Sequence, residues 1–252
     1  IKKYVSEFDR MEYMNQWTGV FTLIHITQDS MQVWGDCAGM QSVYYGVING
    51  NIYISSHAQI IGDICDLSIS NYVKKITGYR FWRLYGIFLP GDISPFDNVY
   101  RLVPNTYIFI DILKKECNVL RFYPTKELKM TKTEEEYDVV IDEISMLMHN
   151  NMKLIAKKWK KPAISMTGGM DSKTTLACGK GMYDAFHFYS YISMYGDKPD
   201  AEAAHKIADA ININHIIYNI SEDDNDFENI NNVRKIMEHN YGDIGKVNPN
   251  DV

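Results

Sequence analysis

The spacing of apolar residues changes once along this chain, near residue 130, and that change limits the possible folds more than any other feature. Before it lie short alternating runs broken by turn residues: "GVFTLIHI" (19–26), "MQVWGDCAG" (31–39), "SVYYGVINGNIYISS" (42–56) and "YRLVPNTYIFIDI" (100–112). Alternation with period two reads as half-buried strands. Asn49-Gly50 between "YYGVI" and "NIYIS" predicts a two-residue hairpin turn, since both central positions need positive φ. The stretch 77–96 mixes aromatics with Gly and Pro and predicts a helical turn followed by an ordered loop. This half is expected to be mostly antiparallel β.

After residue 130 the period becomes helical. "TKTEEEYDVVIDEISMLMHNNMKLIAKKW" places Tyr137, Val140, Ile141, Ile144, Leu147, Met148 and Ile155 on one face, opened by Thr-x-x-Glu capping-box spacing from Thr131 or Thr133. The strand-like "AISM" (163–166), "AFHFYSYIS" (185–193) and "NHIIYNI" (214–220) follow, separated by helix-like "KTTLACGKG" and "DAEAAHKIADAI". Strands alternating with helices imply a parallel sheet. Two units are therefore expected, at 1–125 and 131–252.

With 252 residues, 46% of them hydrophobic, the chain can bury a sizeable core. No apolar run reaches the roughly 20 residues that span a bilayer, and the opening segment has no signal-peptide character, so the expectation is a cytoplasmic protein without a membrane partner. A net charge of -6 argues against a general nucleic-acid surface. The basic run "KLIAKKWKKP" (153–162) reads as the solvated end of a helix, where cations suit the dipole. Cys37, Cys65, Cys117 and Cys178 are dispersed, without zinc-ligand spacing, and are expected to be unlinked.

The chemistry concentrates in "ISMTGGMDSKTTLACG" (164–179). Ligands of parallel sheets bind beyond the carboxyl ends of strands, and Thr167, Gly168 and Gly169 follow "AISM" at such an end. Two glycines let backbone N–H groups converge on an anion, and the next segment offers a helix N-terminus. Thr167 and Ser172 can add hydroxyl donors to a polyphosphate. Asp171 would repel one unless a divalent cation, Mg2+, lay between them. A Walker A loop does not fit, because Ser172 and Thr167 stand where that motif needs glycine. The other reading of these residues is a simple Gly-Gly turn with nothing bound.

"SMTGGMDS" is similar to the SGGxDS pyrophosphate loop of N-type ATP pyrophosphatases, and specifically resembles the synthetase domain of the asparagine synthetase family. "FHFYSYIS" resembles that family's second strand, with Ser190 in the serine place. "PDAEAAHKIADAININH" resembles its next helix and strand, with Asp200, Glu202 and His215 matching. Upstream, "WTGVFTLIHI", "GDCAGMQSVYYGVINGNIYISSHAQII" and "DNVYRLVPNTYIFIDI" with "RFYP" resemble the later part of its class II glutamine amidotransferase domain.

The resemblance implies an antiparallel β-rich, N-terminal-nucleophile-like sandwich half followed by a parallel-sheet PP-loop ATP pyrophosphatase domain, each in part. It implies ATP and Mg2+ as cofactors, with Ser165, Thr167, Gly168, Gly169, Asp171, Ser172 and Ser190 binding nucleotide and Asp171 also on the metal. The implied reaction activates a carboxylate, by default aspartate, as an acyl-adenylate with release of pyrophosphate. Amide formation with ammonia or an amine donor follows; the carboxylate could also be a peptide, and the family allows a homodimer.

The departures shape the alternatives. Thr167 stands for the family's Ser and Lys173 for a small residue; Lys173 reads as a solvent-facing helix lysine. Class II glutaminases use an N-terminal Cys with its α-amine as base; here Ile1 comes first and Cys37 sits in a "GDCAG" turn, so no glutaminase nucleophile is expected. The family's later acidic motif is not found, and Asp243 in "YGDIG" is a poor substitute. The alternatives are an offshoot resembling beta-lactam synthetase or lasso-peptide cyclase, whose amidotransferase-like half is a scaffold, and a non-catalytic nucleotide-binding protein.

Overall fold

The computed structural model describes Met14, Trp17, residues 19–80, Trp82, 89–124, Glu127, 129–193 and 195–220. The opening segment, part of the 77–96 stretch and Asp243 lie outside the described residues. The chain divides into two compact units between Leu128 and Lys129. Together they give a mixed α/β fold with two antiparallel sheets and one parallel sheet.

In the first unit β1 (Thr22–Ile26), β2 (Ser30–Gly35), β3 (Tyr44–Ile48), β4 (Asn51–Ser55), β5 (Val99–Arg101), β6 (Thr106–Asp111) and β7 (Glu116–Arg121) form sheets ordered β1-β2-β6-β7 and β4-β3-β5. All their pairings are antiparallel. The predicted hairpin is present: Asn49 and Gly50 have φ of 51° and 73°, and Ile48 pairs with Asn51. The two sheets face each other through Val33, Ile108 and Ile110 on one side and Val43, Leu102, Ile52 and Ile54 on the other. Each fully buried aliphatic side chain there is worth about 1.5–3 kcal/mol of transfer free energy.

The outer faces are also covered. On the first sheet the cross-strand pair Trp34 and Tyr107 stacks with ring centroids 3.9 Å apart, beside Phe122. Behind the second sheet lies α1 (Ala58–Ile64), followed by α2 (Asn71–Gly78), which Ser70 caps through Tyr72 N–H. These two short helices stand beside seven antiparallel strands, in a half that is mostly antiparallel β as expected. The first exists because Ala58, Ile61 and Gly62 lie on one face against Tyr44, Phe96 and Val99. A Cβ on Gly62 would stand 2.4 Å from the Phe96 ring, so only glycine allows that approach.

In the second unit α3 (Glu134–Lys158) precedes β8 (Ala163–Ser165), α4 (Met170–Cys178), β9 (His187–Ile192), α5 (Lys198–Ala210) and β10 (His215–Asn219). The sheet order is β10-β9-β8 and both pairings are parallel, as predicted from "AISM" and "FHFYSYIS". Of the two N-terminal choices for α3 the chain uses Thr133: its hydroxyl accepts from Glu136 N–H at 3.2 Å while Glu136 reaches back to Thr133 N–H.

The apolar face that the period marks on α3 is largely exposed. Val140, Ile141, Ile144 and Leu147 are 37–60% exposed, and Met152 is the buried apolar residue of this helix. The reason is length. A helix of 25 residues runs about 37 Å, whereas α4, with 9 residues, runs about 14 Å, and only the C-terminal part of α3 meets the core through Met152 and Ala156. That core consists of Met166, Leu176, Phe186, Phe188, Ala204 and Ala208.

Candidate functional site

Strand β8, at the edge of the parallel sheet beside β9, stops at Ser165; Met166 N–H still donates to Tyr189 O at 2.7 Å, which prolongs the pairing by one residue. The chain then leaves through Thr167, Gly168 and Gly169 and enters α4, whose N-cap is Gly169. Thr167, Gly168, Gly169, Asp171 and Ser172 are thus gathered at one strand end and one helix start. An N-terminal first turn has N–H groups without intrahelical acceptors, and those of Met170, Asp171 and Ser172 belong to it.

The small polar side chains converge. Thr167 Oγ1 and Ser172 Oγ lie 2.9 Å apart, and Thr167 Oγ1 also accepts from Gly169 N–H at 3.1 Å. Gly168 N–H donates to Asp200 Oδ1 at 2.7 Å, from the first turn of α5. That contact shows the loop amide taking an anionic oxygen. Asp171 is exposed in the first turn of α4, and Lys173, also exposed, points to solvent as the sequence suggested.

The structure assigns the glycines a somewhat different task from the one expected. Neither has φ in the left-handed region. Gly168 is required by close approach, because a Cβ there would meet Ala203 Cβ at 2.9 Å and Asp200 Oδ1 at 3.0 Å. At Gly169 a Cβ would meet only Thr167 Oγ1, at 3.1 Å.

Ser165 and Ser190 lie on opposite faces of the parallel sheet. Ser165 pairs with Tyr189 and is exposed, whereas Ser190 is 3% exposed beneath the loop. Its hydroxyl donates to Met166 O at 2.6 Å and sits 2.9 Å from His215 Nε2. His215 Nδ1 in turn lies 3.2 Å from His205 Nδ1, and His205 Nε2 lies 3.9 Å from Asp209 Oδ2. Burial displaces the His215 titration downward, the neighbouring His205 charge adds to that, and Asp209 opposes it.

Sequence reasoning missed the roles of three of these residues. Asp200 and His215 were visible as matching residues without a role, and His205 was not singled out, because its pairing with His215 needs the α5–β10 packing to be known.

In the first unit, a turn after β2 is organised by Asp36, which is 1% exposed. It accepts N–H bonds from Ala38, Met40 and Gln41 at 2.8–3.1 Å. Burial opposes its ionisation, but these donors together with Phe21 N–H outweigh burial and hold the carboxyl below its ordinary value. Cys37 follows it, on the wall of a cavity of about 350 Å³ with Trp17, Phe21, Asn105 and Phe122. All four cysteines are free.

Among the described residues no group of three or more His, Cys, Asp or Glu could hold a metal ion, and no helix is long and apolar enough to cross a membrane. No protein-family model matches the chain, and no curated protein matches it. Among solved structures it is similar to a glutamine-dependent NAD+ synthetase from Acinetobacter baumannii in complex with adenosine diphosphate, at 16% identity and a TM-score of 0.29. The match covers 59% of this chain and 24% of that one, so the chain spans about a quarter of the length of the structure it resembles.

Proposed function

We propose that the second unit binds the polyphosphate of ATP at Thr167–Ser172 and serves an ATP-dependent, amide-forming synthetase reaction. The observation that carries this reading is the convergence of the Thr167 and Ser172 hydroxyls with backbone N–H groups at the end of a parallel strand and the start of α4. Such a place favours anions through both unsatisfied donors and the helix dipole.

The residues present offer the nucleotide the first-turn N–H groups of Met170, Asp171 and Ser172 and the hydroxyls of Thr167 and Ser172, while the Gly168 N–H is held by Asp200. They fit Mg2+ in a limited way. That ion keeps several waters and takes one or two carboxylates besides phosphate oxygens, and Asp171 is the carboxylate at the helix start. ATP would supply the phosphoanhydride; Gly169, the first turn of α4, Thr167 and Ser172 would hold and orient it, and their donors would stabilise charge on departing pyrophosphate.

The finer reading follows the resemblance of the sequence segments: a carboxylate, by default aspartate, is activated as an acyl-adenylate and passed to ammonia or an amine. The test is exchange of labelled pyrophosphate into ATP by the full chain, with and without aspartate and Mg2+. Exchange that needs aspartate supports asparagine-type activation. Exchange with other carboxylates alone would keep the synthetase and reject aspartate, and ATP binding with no exchange for any carboxylate would leave a nucleotide-binding protein.

A further inference from the structure

Below the loop, hydrogen-bond donors and acceptors fix where the protons reside. Met166 O can only accept, and the single Ser190 hydroxyl proton lies on the 2.6 Å bond to it. His215 Nε2 must then donate to Ser190 Oγ across 2.9 Å. A neutral His215 with Nε2–H has a bare Nδ1, so the 3.2 Å contact between the two Nδ1 atoms requires the proton to come from His205. This leaves His205 Nε2 as the place for an added proton, at the edge facing Asp209 Oδ2.

One added proton therefore converts the pair into an imidazole and an imidazolium sharing the Nδ1–Nδ1 proton, with every other bond unchanged. A second would set two N–H groups against each other at 3.2 Å. The groups facing His215 are His205 and Asp209 from α5; the buried residues that β9 turns toward this side are Phe188 and Ser190, neither charged. The charged side chains at the loop itself are Asp171, Lys173 and Asp200.

We propose that His205 and His215 form a shared-proton pair that supports the glycine loop. The pair accepts one proton beside Asp209 with the chain intact; a second, on His215 Nδ1, sets two N–H groups against each other, and the repulsion shifts the ring whose Nε2–H holds Ser190, the residue bonded to the Met166 carbonyl one position before Thr167. The pair is a positioning device rather than a group that touches a ligand. It deepens the proposed nucleotide reading by making nucleotide binding pH-dependent through the loop, and only that consequence rests on the nucleotide reading.

The test is nuclear magnetic resonance on the full chain without nucleotide. Imidazole nitrogen shifts at neutral pH should show His215 as the Nε2–H tautomer. On acidification the Gly168 and Gly169 amides should move with the His215 step, at a midpoint below the ordinary histidine value of about 6.5. His215→Gln, which keeps an amide donor toward Ser190 but does not titrate, should keep the neutral-pH loop shifts and lose that step, although Asp171 and Asp200 are still there. His215 found as the Nδ1–H tautomer, or an unchanged loop response in His215→Gln, would overturn the proposal. The tautomer measurement decides it even if the variant fails to fold. A failure to bind ATP, measured separately, would remove the nucleotide reading and leave the proton pair standing.

Discussion

Gly168 gives its backbone N–H to Asp200 Oδ1 at 2.7 Å, tying the loop after β8 to the first turn of α5 across 32 residues of sequence. A carboxylate thus holds one of the loop's amides. It also brings negative charge to a site proposed to receive phosphate, so its two effects can be separated by substitution. Asp200→Asn keeps an accepting oxygen and should preserve folding while strengthening Mg2+-free pyrophosphate binding. Asp200→Ala should lower the unfolding free energy by about 1 kcal/mol and speed exchange of the Gly168 amide. Urea unfolding, calorimetry and hydrogen exchange check this, and unchanged pyrophosphate affinity in Asp200→Asn would contradict the charge argument.

The two loop glycines should behave differently. Gly168→Ala pushes a methyl group against Ala203 and Asp200, at 2.9 Å and 3.0 Å, and should destabilise the unit by about 1–3 kcal/mol. Gly169→Ala meets only the Thr167 hydroxyl and should unfold at nearly the wild-type urea concentration, yet bind ATP weakly because its methyl obstructs the approach of phosphate. Equal loss of stability in both variants would show that position 169 is needed for packing instead.

Asp36 links the stability of the first unit to acid. Its carboxyl is held below its ordinary value by four N–H donors despite burial, so the folded state binds its proton less readily than the unfolded chain. The corresponding stability is fully present above the unfolded value near 3.9 and is lost as pH falls through the folded value below it. Asp36→Ala strands the N–H groups of Ala38, Met40 and Gln41 and should cost about 2–4 kcal/mol. Unfolding followed at pH 7 and pH 3 should show the difference between wild type and variant shrinking in acid.

His215 acts in the same direction at higher pH. Burial favours its neutral form, so its contribution is complete above the unfolded value near 6.5 and declines as pH falls toward the lowered folded value. His215→Gln should flatten that part of the stability curve, as followed by thermal unfolding between pH 7 and pH 5.

Local chemistry made much of this legible. Asn49-Gly50 specified its turn through the positive φ it tolerates, Thr133 and Glu136 specified the start of α3, and the placement of Thr167–Ser172 followed from an apolar strand giving way to helix. What stayed hidden depends on partners distant in sequence. Helix α1 has 7 residues, too few to show a period, and owes its place to Phe96 and Val99. The exposed stripe of α3 has a helical pattern that records amphipathicity without saying what it packs against. The His205–His215 contact spans a helix end and a turn before β10, so spacing alone gave no sign of it.

The most direct test of the polyphosphate site is calorimetric titration of the full chain with ATP and with pyrophosphate, each with and without Mg2+, for wild type, Gly169→Ala and Asp171→Asn. The account predicts that Gly169→Ala binds both ligands weakly under either condition, whereas Asp171→Asn loses affinity chiefly when Mg2+ is present. Wild-type affinity in both variants would contradict it and leave Gly168-Gly169 as a turn between β8 and α4.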